Sequence, residues 1–186
     1  MLKAALELVL EVGTQKTTLK EIGERAGYSR GLAQAKFGSK DQLFVRLADD
    51  CRRLWLREIR RHGDGKFGLD ALMSRLDATV SFADNSADET RVMYTLWFES
   101  VGSHSEIRTS LARFHRQARD DIQTLALAGG LFKGDHAAAQ AEGFAVRFCG
   151  TIFGMCYQWI VAPDAINLRD AAADLRRDMA KLYASK

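Results

Sequence analysis

Two capping boxes flank a glycine turn within residues 18–42 and restrict this stretch to short helices joined at a corner. In Thr18-Leu19-Lys20-Glu21 the threonine hydroxyl is placed to accept from the Glu21 amide. The Glu21 carboxylate can return to the Thr18 amide, so two donors left open at a helix start find partners. The helix this opens carries Ile22 and Ala26 on its inner face and ends at Gly27. Ser29 is placed to cap another short helix ending near Phe37. After Gly38, Ser39-Lys40-Asp41-Gln42 repeats the box and starts a longer helix through Leu43, Phe44, Leu47, Cys51, Leu54 and Trp55 to Arg61. Upstream, Leu2, Leu6, Val9 and Leu10 share one face against Lys3, Glu7 and Glu11, which predicts a first helix stopped by Gly13.

The rest of the chain permits long helices, because Pro163 is its one proline and no block of alternating residues reads as a strand. Helical periodicity recurs over 68–84, 88–101, 106–128, 137–161 and 167–183. Breaks fall at Asp84-Asn85-Ser86, Gly102-Ser103-His104, Gly129 to Asp135, and Ala162-Pro163-Asp164. His62-Gly63-Asp64-Gly65-Lys66 reads as a linker. The expectation is an all-α protein of nine helices in two groups. The boundary is drawn at 1–46 for a helix-turn-helix domain and 47–186 for a helical body.

Charge is divided unevenly along the chain. Residues 1–62 hold 13 Lys+Arg against 8 Asp+Glu, and the remainder holds 14 against 16. A basic first third beside a mildly acidic body points to a polyanionic partner for the first part, with chance clustering as the plain alternative. No apolar run approaches the roughly 20 residues that cross a bilayer, and the N-terminus lacks signal-peptide features. Cys51, Cys149 and Cys156 are odd in number and lie in apolar helical surroundings, as free thiols do in a reducing compartment. The expected location is cytoplasmic. Neither metal-ligand spacing nor a cofactor motif is present, and no Ser-His-Asp arrangement or phosphate-binding glycine loop argues for an enzyme.

Two short helices meeting at a tight turn form a helix-turn-helix when a small residue sits where they cross and the turn tolerates positive φ. Gly23 and Gly27 supply both. The second helix would then present Arg30, Leu32, Gln34 and Lys36 to a major groove. The run Ala4-Ala5-Leu6-Glu7-Leu8, Gly13, Thr17 to Gly31 and Phe37-Gly38-Ser39-Lys40-Asp41-Gln42-Leu43 resembles the N-terminal signature of the TetR family, without a gap. That resemblance implies a homodimeric, all-helical transcriptional regulator that reads palindromic operator DNA and is released by a small-molecule effector. By the same resemblance Thr18 and Lys20 abut phosphates, and Arg30, Gly31, Leu32, Gln34 and Lys36 face DNA. Lys40 binds phosphate at the start of the fourth helix. Two departures stand out. Leu32, Ala33 and Gln34 replace the usual small polar residue, leucine and tyrosine, so a phosphate anchor is lost. In its place Gln34 can pair with adenine, and Leu32 can touch a thymine methyl. A basic arm ahead of the first helix has no counterpart before Met1; the member either lacks that anchor or is shortened here.

Body segments around Phe98–His104 and Gly154–Asp164 also resemble this family. The resemblance pairs the last two helices with those of a second subunit. Phe144, Phe148, Ile152 and Met155 form one apolar stripe, while Leu175, Met179 and Leu182 supply the second helix. Met93, Trp97, Phe114, Phe153, Tyr157 and Trp159 are candidates to enclose a largely apolar effector, with ordinary core packing as the competing role for each. His115 could orient a polar group, and His104 is placed in a turn. A body that serves protein interaction rather than ligand sensing fits the same pattern.

Overall fold

The computed structural model describes residues 1–102 and 106–184, with the side chains of all but Arg30, Leu182 and Ala184. Among the described residues there are nine helices and no strand. They are α1 (Leu2–Lys16), α2 (Leu19–Arg25), α3 (Arg30–Phe37), α4 (Lys40–Gly63), α5 (Gly68–Asn85), α6 (Ala87–Val101), α7 (Glu106–Ala128), α8 (Ala137–Val161) and α9 (Leu168–Ala184). The all-α expectation and the helix positions therefore hold. His104 lies outside the described residues.

The chain forms two compact units. One comprises Met1–Leu54 and the described part of 86–113; the other comprises Trp55–Asn85 and the described residues from Phe114 onward. In the first unit α1 packs against α2 and α6 around Ala5, Leu8, Ile22, Leu43, Leu47, Val92 and Leu96, all buried. A fully buried side chain such as Ile22 contributes ~2 kcal/mol by leaving water. Gly13 does interrupt α1, with φ 77° and ψ 167°, but one further turn follows before the chain leaves. The corner is closed by Thr17, which is fully buried and donates to the Gly13 carbonyl at 2.8 Å. Thr14 donates to the Glu99 carboxylate of α6, fastening the same corner from the other side.

In the second unit α5, α8 and α9 pack on one another. Leu72, Leu76, Phe144, Phe148, Ile152 and Met179 are buried in this unit. Arg176–Asp77 and Arg169–Asp84 join α9 to α5 seven residues apart on each helix. Such half-exposed pairs are each worth ~1 kcal/mol or less and set register more than stability. The expected linker is shorter than its sequence reading, because α4 runs on through His62 and Gly63. Arg60, Arg61 and His62 suit the negative end of a helix, which prolongs α4 to the glycine. One helix corrects the expectation about apolar runs: α8, at 25 residues, is long and apolar enough by length and composition to cross a membrane. One face of α8 nevertheless lies in the core through Ala141, Phe144, Ala145, Phe148 and Ile152.

The start of α5 and the end of α7 meet backbone to backbone. A Cβ on Gly68 would lie 2.8 Å from the Gly129 Cα, and Gly68 holds φ 55°. Gly68→Ala is expected to destabilise the chain by about 2 kcal/mol or more, read as a lower midpoint in urea with an unchanged slope.

Candidate nucleic-acid interface and body sites

The corner between α2 and α3 is built as the sequence predicts. Thr18 Oγ1 accepts from the Glu21 amide at 3.2 Å, and the Glu21 carboxylate accepts from the Thr18 amide at 3.0 Å. Gly27 adopts φ 74°, and the Tyr28 amide donates to the Gly23 carbonyl at 2.9 Å. A Cβ on Gly23 would stand 3.5 Å from the Ala33 Cβ and 3.4 Å from the Ser29 carbonyl oxygen, so the helices cross where neither has bulk. Arg25 reaches back to Glu11 in a two-pronged pair at 2.5 and 2.7 Å. That hydrogen bond lowers the Glu11 pKa and raises that of Arg25. At the next helix start the Ser39 hydroxyl accepts from the Gln42 amide at 3.1 Å. Ser29 occupies the N-cap position of α3 but makes no side-chain capping bond, unlike its sequence reading.

With Ile22 and Ala33 fully buried, the opposite face of α3 is open to solvent and carries Gly31, Leu32, Gln34 and Lys36. Thr18 and Lys20 are exposed at the start of α2, where Lys20 lies 3.8 Å from Glu24. Arg30 opens α3, and its side chain lies outside the described ones. Two predicted readers have partners within the chain. Gln34 donates to the Gly38 carbonyl, finishing its own helix, and Lys40 donates to the Gln15 carbonyl at 3.1 Å, tying α4 to the end of α1. The Lys40 ammonium also sits 5.7 Å from the Phe44 ring centre. Exposed Tyr28 in the turn and the Glu11–Arg25 brace were not singled out in the sequence. The brace pairs residues far apart in sequence, and no local pattern announces it.

This arrangement is a helix-turn-helix, the corner by which many proteins dock a helix on DNA. Residues 1–47 match the family model described as bacterial regulatory proteins, tetR family. The HTH-type transcriptional regulator BetI of Rhizobium meliloti (strain 1021) is 29% identical over 159 residues, covering 81% of this chain and 73% of that protein. A transcriptional regulator from Rhodococcus sp. Rha1 superposes with a TM-score of 0.80 at 17% identity, over 99% of this chain and 94% of that one. A SmeT–triclosan complex does so with a TM-score of 0.70 at 20% identity, over 94% and 87%. The head of the chain, residues 1–47, thus matches the DNA-binding segment of the tetR family of bacterial regulatory proteins, and the body shares the fold of these solved regulators.

The candidate effector residues fall in both units. Met93 is buried in the first unit, where the Trp97 ring lies tilted against Tyr94 with centroids 5.1 Å apart. In the second unit Trp55, Phe114, His115 and Phe153 form a continuous run of edge-on rings. The centroids of successive rings are 5.6, 5.3 and 4.8 Å apart. Trp159 is half-buried and Tyr157 exposed on α8. Sequence reasoning gave Phe114 and Phe153 but not Trp55, because α4 reads as a connecting helix. Of the candidate dimer residues, Phe144, Phe148, Ile152 and Met179 are buried within the chain itself, and Met155 and Leu175 are half-buried. The Leu182 side chain is outside the described ones.

Burial pushes the Cys51 thiol up to about 12, with Glu89 and Asp50 adding to the rise, and burial likewise raises Cys149. Burial, reinforced by Arg119, holds His115 below its usual 6.5. Above that value the ring is neutral folded and unfolded. As pH falls through it the unfolded chain takes the proton first, so stability drains until the folded pKa is reached. His115→Phe keeps a ring and removes the proton site. The wild type is expected to lose more stability than this variant in denaturant titrations between pH 7 and pH 5.

Proposed function

We propose that the chain represses transcription by binding palindromic operator DNA as a homodimer, and that a small, largely apolar effector releases it. The head at residues 1–46 reads DNA, and the body at 47–186 senses and dimerises. The observation that carries the DNA reading is the open face of α3, where Gly31, Leu32, Gln34 and Lys36 are exposed around a fully buried Ala33. Arg30 adds a cation at the start of that helix, while Thr18, Lys20 and Lys40 are the proposed phosphate contacts. Gln34 reaches adenine only by giving up the Gly38 carbonyl, so base reading at this position competes with its role in ending α3.

The proposed partner surface is the outer stripe of α8. Val146, Tyr157 and Val161 are 54, 45 and 65% exposed, and Gly150 and Gly154 between them have open space where a Cβ would stand. A second copy of the same helix can approach closely along such a stripe. The effector reading rests on the rings of Trp55, Phe114 and Phe153 in the second unit, with Trp159 on the same helix as Phe153; Tyr157, a sequence candidate for this site, falls on the outer stripe instead. The likeness of fold to SmeT, which was captured with triclosan, is in keeping with it. A cytoplasmic location and independence from membranes belong to the same reading.

Selection of binding sites from random duplexes, followed by sedimentation of the complex, tests the whole. A palindrome bound by two copies is expected. Gln34→Ala is expected to lose ~1–3 kcal/mol of discrimination at one base step in each half-site while keeping its affinity for unrelated DNA. Val146→Arg on α8 is expected to give a folded monomer that binds the palindrome about 100-fold more weakly. Selection of non-palindromic sites, or a wild-type monomer on DNA, would overturn the dimeric reading.

A further inference from the structure

Arg75 lies on α5 with its side chain only 17% exposed. Its guanidinium donates no hydrogen bond among the described residues. The nearest carboxylate is that of Asp121, at 4.0 Å. Asp121 is itself 41% exposed and already takes an amide hydrogen bond from Gln117 at 2.9 Å. A cation so withdrawn from water and so weakly paired is costly to hold, and burial accordingly pulls its pKa below the usual arginine value despite Asp121. Most buried charges are paired more closely than this.

Arg75 lines a cavity of about 690 Å³ in the second unit. Arg60 and Lys66 line it too, and neither is ion-paired among the described residues. Asp64 is the carboxylate on the lining, and Ile59 and Leu125 give it an apolar part. With Arg61, which pairs with Glu58 at 3.7 Å, four cations and one carboxylate line a partly apolar hollow. The rings of Trp55, Phe114, His115 and Phe153 are not on this lining. Arg119 and Arg75 both oppose the burial that raises the Cys149 pKa, and Arg119 also acts on His115.

We propose that the cavity beside Arg75 binds an organic anion, a carboxylate with an apolar body, whose charged group pairs with Arg75. This rests on the reading of the second unit as the effector site, and it names the chemistry of that effector. A planar guanidinium takes a carboxylate with two parallel hydrogen bonds, a geometry that Asp121 does not supply at its distance. Arg60 and Lys66 on the lining attract the anion, and Ile59 and Leu125 take its hydrocarbon.

The test uses the full chain and three pairs of probes, each a carboxylate and its neutral amide: 2-naphthoate and 2-naphthamide, benzoate and benzamide, decanoate and decanamide. Calorimetric titration is expected to show at least one carboxylate bound about tenfold or more tightly than its amide. Arg75→Gln is expected to abolish that preference and leave amide binding unchanged, and Arg75→Lys to restore part of it. Asp121→Asn, which removes the competing carboxylate, is expected to strengthen carboxylate binding severalfold, and it decides the matter should Arg75→Gln fail to fold. Equal binding of every pair, binding of none, or a carboxylate preference that survives loss of Arg75 would overturn the proposal. So would an Asp121→Asn chain with unchanged affinity. Release of operator DNA is measured separately with the same probes. A carboxylate that needs Arg75 to bind yet leaves the operator bound would refute the effector reading and keep the anion site.

Discussion

The near approach of α2 and α3 at Gly23 is the constraint on which the head depends. A helix-turn-helix presents one face of its second helix only if the other face is held hard against the first, and here the contact surface is almost bare backbone. Gly23 brings its carbonyl to the Tyr28 amide and its Cα toward Ala33. Everything exposed on α3 follows from that choice, because burying Ala33 fixes the rotation of the helix about its axis. The capping boxes then decide where each helix starts, and the Glu11–Arg25 pair and the Lys40 bond to Gln15 fasten the neighbours.

The use of Gln34 and Lys40 within the free chain changes how these residues are understood. By sequence alone both are groups free to meet DNA. In the structure each already has a partner, one at a helix end and the other at the α1–α4 corner. A hydrogen bond exchanged on binding contributes only the difference between two partners, so affinity at these positions is bounded by what the free protein gives up. Lys36, close to the ring of Phe37, has less to surrender.

Local pattern carried the head. Caps, turn glycines and an amphipathic first helix are all short-range signals, and they placed the elements close to the observed bounds, except that α1 continues past Gly13 to Lys16. The body was legible as helices but not as surfaces. Residues on α8 are apolar on two faces, and periodicity alone cannot tell which of two stripes turns inward. The sequence offers the phenylalanine stripe to a partner, and in the single chain Phe144 and Phe148 are already buried. The informative signal is bulk: large rings fill interiors, whereas the other stripe has Gly150 and Gly154 between Val146 and Tyr157, with open space at both glycines. Arg75 was invisible for a different reason. An arginine in a helix reads as solvated unless its neighbours' burial is known, and Leu72 and Leu76 beside it show only in the fold.

An effector changes a regulator only through the difference in its affinity for two states, so its binding energy must depend on features that the states do not share. An apolar cluster is a poor source of such a difference, because rings that leave a ligand can repack on one another at little cost. A guanidinium withdrawn from water behaves differently. It cannot recover its hydration without the surrounding helices moving, and its attraction for an anion varies steeply with distance and with how much water reaches it. Arg75, weakly paired on α5, is therefore the kind of group through which a small change in packing alters ligand affinity by a large factor. In the proposed site the apolar lining at Ile59 and Leu125 would hold the hydrocarbon part of a ligand in either state.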